Sequence, residues 1–329
     1  MAIFDINAGE RRVVVLLLLH SLFMGISLVL FETAANAIFL TRFPADRLTY
    51  VFIGAAFAVP LSGVLYNRLR NRLSTPQLWT ATLLFLLSIP LAITPALSAG
   101  KAAWPALILM ISVNVMYALT ALEFWGVAGR VLNMRQARRL YGLIGSGEIA
   151  AGILGGIAVG PVLKIISVTN LLLVAAGGFF LCLLILFDLL RISPQRSDED
   201  ENEDESINQS VGSLLRAVLK DRYILLIVGL YFFYNLTHDT LEYTNLSQIQ
   251  AHFHQSENHV AAFIGGLLSA REIITLIART LLSGWLLNRF GLGAGLAATP
   301  VLMIAGCPAG NTCYLTTNPP RPRHTRPSR

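Results

Sequence analysis

The chain alternates long apolar runs with short polar breaks. Apolar runs over 13–40, 48–67, 78–97, 104–127, 141–163, 168–190, 223–246 and 260–287 each reach the ~20 residues that a helix needs to cross a bilayer core. Buried helices of a soluble protein would not recur eight times at this length, so the pattern predicts eight transmembrane helices. A ninth run, 295–306, is too short to cross as written. The first run follows Arg11 and Arg12, as in a signal peptide, but continues to Leu40. That is far beyond the ~7–15 apolar residues of a secretory leader, so it reads as a first span.

Polar residues inside these runs fall on particular faces. The seventh run, "YFFYNLTHDTLEYTN", places Asn235, His238, Asp239 and Glu242 at i, i+3, i+4 and i+7. The eighth carries Arg271, Glu272, Thr275 and Arg279 within a sector of about 100°. Ser21, Gly25, Glu32 and Asn36 run along one side of the first, whereas the third and sixth hold no charge until Asp188. Ionisable groups in a bilayer are costly and face protein or a water-filled cavity. The candidate substrate or ion contacts are therefore Glu32, Asn36, Asn235, His238, Asp239, Glu242, Arg271, Glu272 and Arg279. Asp239 and Glu242, with His238 beside them, suit uptake of a proton or contact with a cation, with Glu32 opposite them. Arg271 or Arg279 suits neutralising an anionic substrate, and Glu272 with Arg279 also reads as an ion pair that only fixes packing.

Composition supports the membrane reading. Only 13% of the 329 residues are charged, against roughly a quarter in soluble domains, so lipid must be part of the solvent. The net charge of +6 does not point to nucleic acid, because the basic residues sit between the spans. With the N-terminus inside, the inner segments hold 15 Lys and Arg and the outer loops 4 (Arg42, Arg47, Lys101 and Lys164). This bias predicts a multi-pass protein of the inner (cell) membrane with a cytoplasmic N-terminus.

Between the sixth and seventh runs, "SDEDENEDES" (197–206) has seven acidic residues in ten, as a solvated linker does. It divides the chain into an N-terminal six-helix half (1–192), an acidic cytoplasmic linker (193–221), a partial C-terminal half (222–306) and a Pro/Arg-rich tail (307–329). "GVLYNRL" (63–69) after the second run is echoed by "GWLLNRF" (284–290) after the eighth, as expected of two homologous halves. These segments resemble the G-x-L-x-D-R signature of the major facilitator superfamily, with Asn67 and Asn288 in place of its aspartate. The resemblance implies an all-α major-facilitator-like bundle. In it the first helix of each triplet lines a central cavity, the second packs between halves and the third faces lipid.

The stretch 124–156, "FWGVAGRVLNMRQARRLYGLIGSGEIAAGILGG", is more specific. Phe124, Trp125, Gly126, Ala128, Ala137, Arg139, Tyr141, Leu143, Gly145, Gly147 and Gly156 match the pattern of the ATP/ADP translocase family, which it resembles. Gly129, Gln136, Glu148 and Ile149 depart from it. Kinship of this kind implies a secondary transporter exchanging ATP, ADP or another small anionic solute by alternating access. The alternatives are a membrane sensor or scaffold that keeps the fold, or an inactive fragment. Arg130, Arg135, Arg138 and Arg139 anchor the cytoplasmic side and are candidate phosphate contacts, because guanidinium forks suit phosphate. Gly152, Gly156 and Gly160 form a small face on which another helix can pack.

Remaining signals argue for little added chemistry. Cys182, Cys307 and Cys313 lack ligand spacing, His252, His254 and His259 read as a polar loop, and no nucleophile–base constellation appears. No enzyme, cofactor or metal is expected. After Gly306, four prolines among 319–327 cannot continue a membrane helix, so the chain reads as C-terminally incomplete.

Overall fold

The computed structural model describes residues 10–99, 104–192, 220–252, 256–278 and 289. The ninth run, nearly all of the acidic linker, the tail and the second repeat copy apart from Arg289 lie outside them. So do Arg279 and the side chains of Arg135 and Arg138.

Every regular element among the described residues is helical. α1 spans Arg11–Arg42, and a 3-10 turn over Ala45–Arg47 leads into α2, Leu48–Arg70. Then come α3 (Thr75–Ala99), α4 (Trp104–Val131), α5 (Met134–Val162), α6 (Val168–Ile192), α7 (Arg222–His252) and α8 (Glu257–Ile277). All eight expected spans appear, the eighth described as far as 278, and eight helices among the described residues are long and apolar enough to cross a membrane. The protein is an all-α polytopic membrane protein. Helices win because hydrocarbon offers no partner to a bare backbone amide or carbonyl. Buried hydroxyls obey the same constraint: Thr82, Thr94 and Thr120 each donate to the carbonyl four residues earlier in their own helix, at 2.6–2.8 Å.

The described residues form two compact units. The larger takes α1–α6 with Ile249–Leu276, and the smaller takes α7 up to Gln248. Within the larger unit α1 is central, packing on α4, α5 and α6, while α3 lies against α6 and α2 against α4. Small residues permit the closest approaches. A Cβ on Gly147 would lie 2.9 Å from that of Ser21, and one on Gly25 would lie 2.5 Å from that of Ala151. Ser21 and Gly25, expected on a cavity-lining face of α1, are thus packed against α5. Lipid covers what the protein leaves bare, and Ile53, Phe57, Leu61, Ile157 and Leu184 are exposed.

The glycine face of α5 is used in part. Gly152 meets the Glu272 side chain and Gly156 meets Ser269 and the Gly265 backbone of α8, but nothing among the described residues lies within 4 Å of where a Cβ on Gly160 would stand. Ser269 Oγ donates to Ile153 O at 3.0 Å, so α8 is pinned on α5 by a hydrogen bond as well as by shape.

Candidate functional site

Four helices of the larger unit converge on a charged cluster. Glu32 of α1 accepts from the Tyr117 hydroxyl of α4 at 2.5 Å. Arg271 of α8 lies in the electrostatic field of Glu32, Tyr117 and its neighbour Glu272, and Glu148 of α5 acts on Tyr117. Arg271 Nη2 stands 3.2 Å from Glu272 Oε1, and its Nε donates to the same oxygen at 3.3 Å. Glu272 therefore pairs with Arg271; the expected partner, Arg279, is outside the described residues. A guanidinium has five N–H donors, so this arrangement leaves several for another anion. Asn36, one turn beyond Glu32, is buried, and its Oδ1 has no partner among the described residues. A buried acceptor of this kind calls for a donor.

The α7 candidates form a local group on one turn. His238 Nδ1 is 3.6 Å from Asp239 Oδ1 and 4.0 Å from Glu242 Oε2. The ligating atoms of the three lie within 4.8 Å of one another, near enough to share a cation or proton. Asn235 turns to its own helix instead, donating to Tyr231 O at 2.7 Å.

At the start of α5, Asn133 and Gln136 form a reciprocal capping box, with Gln136 N donating to Asn133 Oδ1 at 3.0 Å and Asn133 N to Gln136 Oε1 at 2.9 Å. Glu10 ties the beginning of α1 to this cap: it pairs with Arg139 and accepts from Gln136 Nε2 at 2.8 Å. Arg139 is thus engaged by a carboxylate, with which any phosphate would have to compete. Arg130 closes α4. The translocase-like residues form a packed corner. Trp125 meets Phe124 and Tyr141 edge-on at 5.1 and 5.4 Å, and Gly126 lets Trp79 of α3 approach, its absent Cβ lying 3.0 Å from the indole nitrogen.

Two groups in the bundle escaped the sequence reading. His20 Nε2 and Glu123 Oε2 lie 3.1 Å apart between α1 and α4, both side chains fully buried. Tyr117, the partner of Glu32, is the other. Each is a single polar residue without a polar stripe beside it, so stripe-seeking passed over it; the cost of any intramembrane charge would have flagged Glu123. A groove of about 390 Å³ between α3 and α4 is lined by Phe85, Ile89, Ile93, Ile108 and Ile111 among others; that apolar lining suits lipid chains.

Comparison with known proteins leads to the family that the stretch 124–156 resembles. The chloroplastic ADP,ATP carrier protein 1 of Arabidopsis thaliana is 27% identical over 198 residues, covering 56% of this chain and 31% of the relative. ADP,ATP carrier protein 1 of Chlamydia trachomatis serovar D is 22% identical over 206 residues, covering 56% and 38%. The plastidic ATP/ADP-transporter of Solanum tuberosum is 26% identical over 198 residues, covering 56% and 31%. The chain thus spans about a third of the length of the curated relatives it matches. No solved structure matches it. Residues 106–309, more than half of the chain, match the family model described as TLC ATP/ADP transporter, and the chain belongs to that family.

Proposed function

We propose that the protein is a nucleotide carrier that exchanges ATP and ADP by alternating access. Its family is one of transporters rather than enzymes. The observation that carries the proposal is the charged cluster that α1, α4 and α8 build around Arg271, whose guanidinium keeps donors to spare beside Glu32, Tyr117 and Glu272. A phosphate would draw Arg271 from the carboxylates, and the orphan acceptor of Asn36 suits an amino group of the base. His238, Asp239 and Glu242 would supply a cation or proton contact. Arg130, Arg135, Arg138 and Arg139 would draw nucleotide to the cytoplasmic mouth.

A major-facilitator arrangement accommodates these features. α5 and α8 are each the second helix of a triplet, and they pack through glycines, as helices at the interface of two halves would. On that reading 1–192 is the N-terminal half, 193–221 the linker, 222–306 part of the second half and 307–329 a tail. The basic bias supports a cytoplasmic N-terminus and linker. A cysteine at Ser197 should resist an impermeant thiol reagent in intact cells and react after permeabilisation. Ready labelling of intact cells would invert the topology.

Binding is the direct test. Purified protein in nanodiscs should be stabilised by ATP and ADP, by about 2.7 kcal/mol at a hundredfold excess over Kd. Arg271→Ala should abolish that shift while leaving the unliganded midpoint within about 1 kcal/mol of wild type, as for a surface pair. No stabilisation of the wild type by any nucleotide would leave a scaffold or sensor as the better reading.

A further inference from the structure

Gln250, near the C-terminal end of α7, reaches the chain reversal between α1 and α2. Its Nε2 donates to Leu40 O and to Phe43 O, each at 2.6 Å, and its Oε1 accepts from Ala45 N at 2.6 Å. Phe43 is the extended residue that caps α1, and Ala45 opens the 3-10 turn before α2. These are groups that a helix end and a turn leave without intrahelical partners. One amide uses both donors and an acceptor on them. The fit works in only one orientation, since a flipped amide would set oxygen against carbonyls and nitrogen against N–H.

A second contact lies at the start of α8. Glu257 accepts from Thr41 Oγ1 at 3.3 Å and lies 3.9 Å from Arg42 Nε. The residues at the end of α7 and the start of α8 therefore grip the α1–α2 corner at two points through polar atoms. The parts around the grip suit a reversible contact. Thr41 and Ala45 are only partly buried or exposed, so water can take over their hydrogen bonds when the corners part. A contact of this kind is either complete or absent, because three bonds hang on one side chain. Glu32 lies eight residues before Leu40 on α1, about 12 Å along the helix. The grip thus holds α1 beside the α7–α8 corner at one end of the cluster.

We propose that Gln250, seconded by Glu257, is a latch that closes the path to the Glu32–Tyr117–Arg271 cluster from this end, and that its release is a gating step of transport. The proposal rests on the transport reading, and in the topology above the latch is on the outer side. When it opens, Leu40 O, Phe43 O and Ala45 N pass from the amide to water, and Glu257 leaves Thr41 and Arg42.

Spin labels at Asp46 and Asn258, both exposed, would measure the gap between the corners. The protein would be the full chain in nanodiscs, with Cys182, Cys307 and Cys313 replaced by serine. Electron–electron double resonance should find one short-distance population in the parent. Gln250→Ala should raise the ratio of long to short distances by about tenfold or more, since three bonds of ordinary strength are lost together. Glu257→Gln, a milder change, should move it the same way by a smaller factor. Thermal unfolding of both variants checks that the chain is folded, and circular dichroism should match the parent. An unaltered distance distribution in folded Gln250→Ala overturns the latch. Added ATP or ADP should shift the parent distribution; if neither does while Gln250→Ala still opens the gap, the nucleotide reading fails and the latch stands.

Discussion

Replacing His20 by leucine is expected to destabilise the protein by about 3–5 kcal/mol, among the largest effects available to a single substitution here. The imidazole is completely buried between α1 and α4, and Nε2 is the only one of its ring atoms with a partner among the described residues. Its removal leaves Glu123 buried, with Oε1 already lacking a partner and Oε2 losing its own. Breaking a buried polar pair costs far more than the pair contributes, because the survivor cannot return to water. The companion expectation is that His20→Leu with Glu123→Met recovers most of the loss, since apolar residues of similar volume refill the gap beside Phe124, which stacks on the imidazole at 6.3 Å. Chemical unfolding in detergent would measure both. A single variant no worse than a surface change, or a double variant no better than the single, would show that the pair does not hold α1 to α4. His20 lies twelve residues before Glu32 on α1, about 18 Å away along the helix, so nucleotide binding should survive in the double variant.

That pair also marks where sequence reading ends. The spans are legible because continuous apolar runs of about 20 residues satisfy their own backbone in lipid only as helices. The stretch 124–156 carries a legible family text, and the family match spans it; its Trp125 and Tyr141 meet edge-on at a helix corner. The glycine face of α5 was legible too, although Gly160 turned out to face no neighbour. What the text could not give was pairing across helices. Glu32 has its visible partner 85 residues away on α4, and His20 its partner 103 away, distances at which periodicity carries no information. On the α1 stripe, Ser21 and Gly25 serve the contact with α5 rather than a cavity, because small residues look alike in sequence whether they admit a solute or a neighbouring helix. Nothing in the sequence likewise pairs Arg139 with Glu10, 129 residues away, which engages its guanidinium.

A valine at Gly156 is the second substitution expected to act strongly, and it acts on the site itself. Any Cβ there would collide with Ser269 Oγ and with the Gly265 carbonyl, one turn apart on α8. A colliding serine side chain could turn away, but a backbone carbonyl cannot, so α5 and α8 must separate. Overpacking of this kind costs about 1–3 kcal/mol or more. Separation also breaks the bond from Ser269 Oγ to Ile153 O. Because α8 carries Arg271 and Glu272, the displacement takes both from Glu32 and Tyr117, and nucleotide stabilisation should be lost altogether. Gly160→Val is the control on the same helix: nothing among the described residues lies within 4 Å of its absent Cβ, so it should keep binding, and helix propensity, which favours valine over glycine by a fraction of a kcal/mol, should if anything stabilise it. Gly152→Ala should fall between them, since the atoms it meets belong to the flexible Glu272 side chain. The graded order Gly156, Gly152, Gly160 in nucleotide-dependent thermal shift is what close packing requires; equal losses at Gly156 and Gly160 would mean that α8 does not rest on α5 at this point.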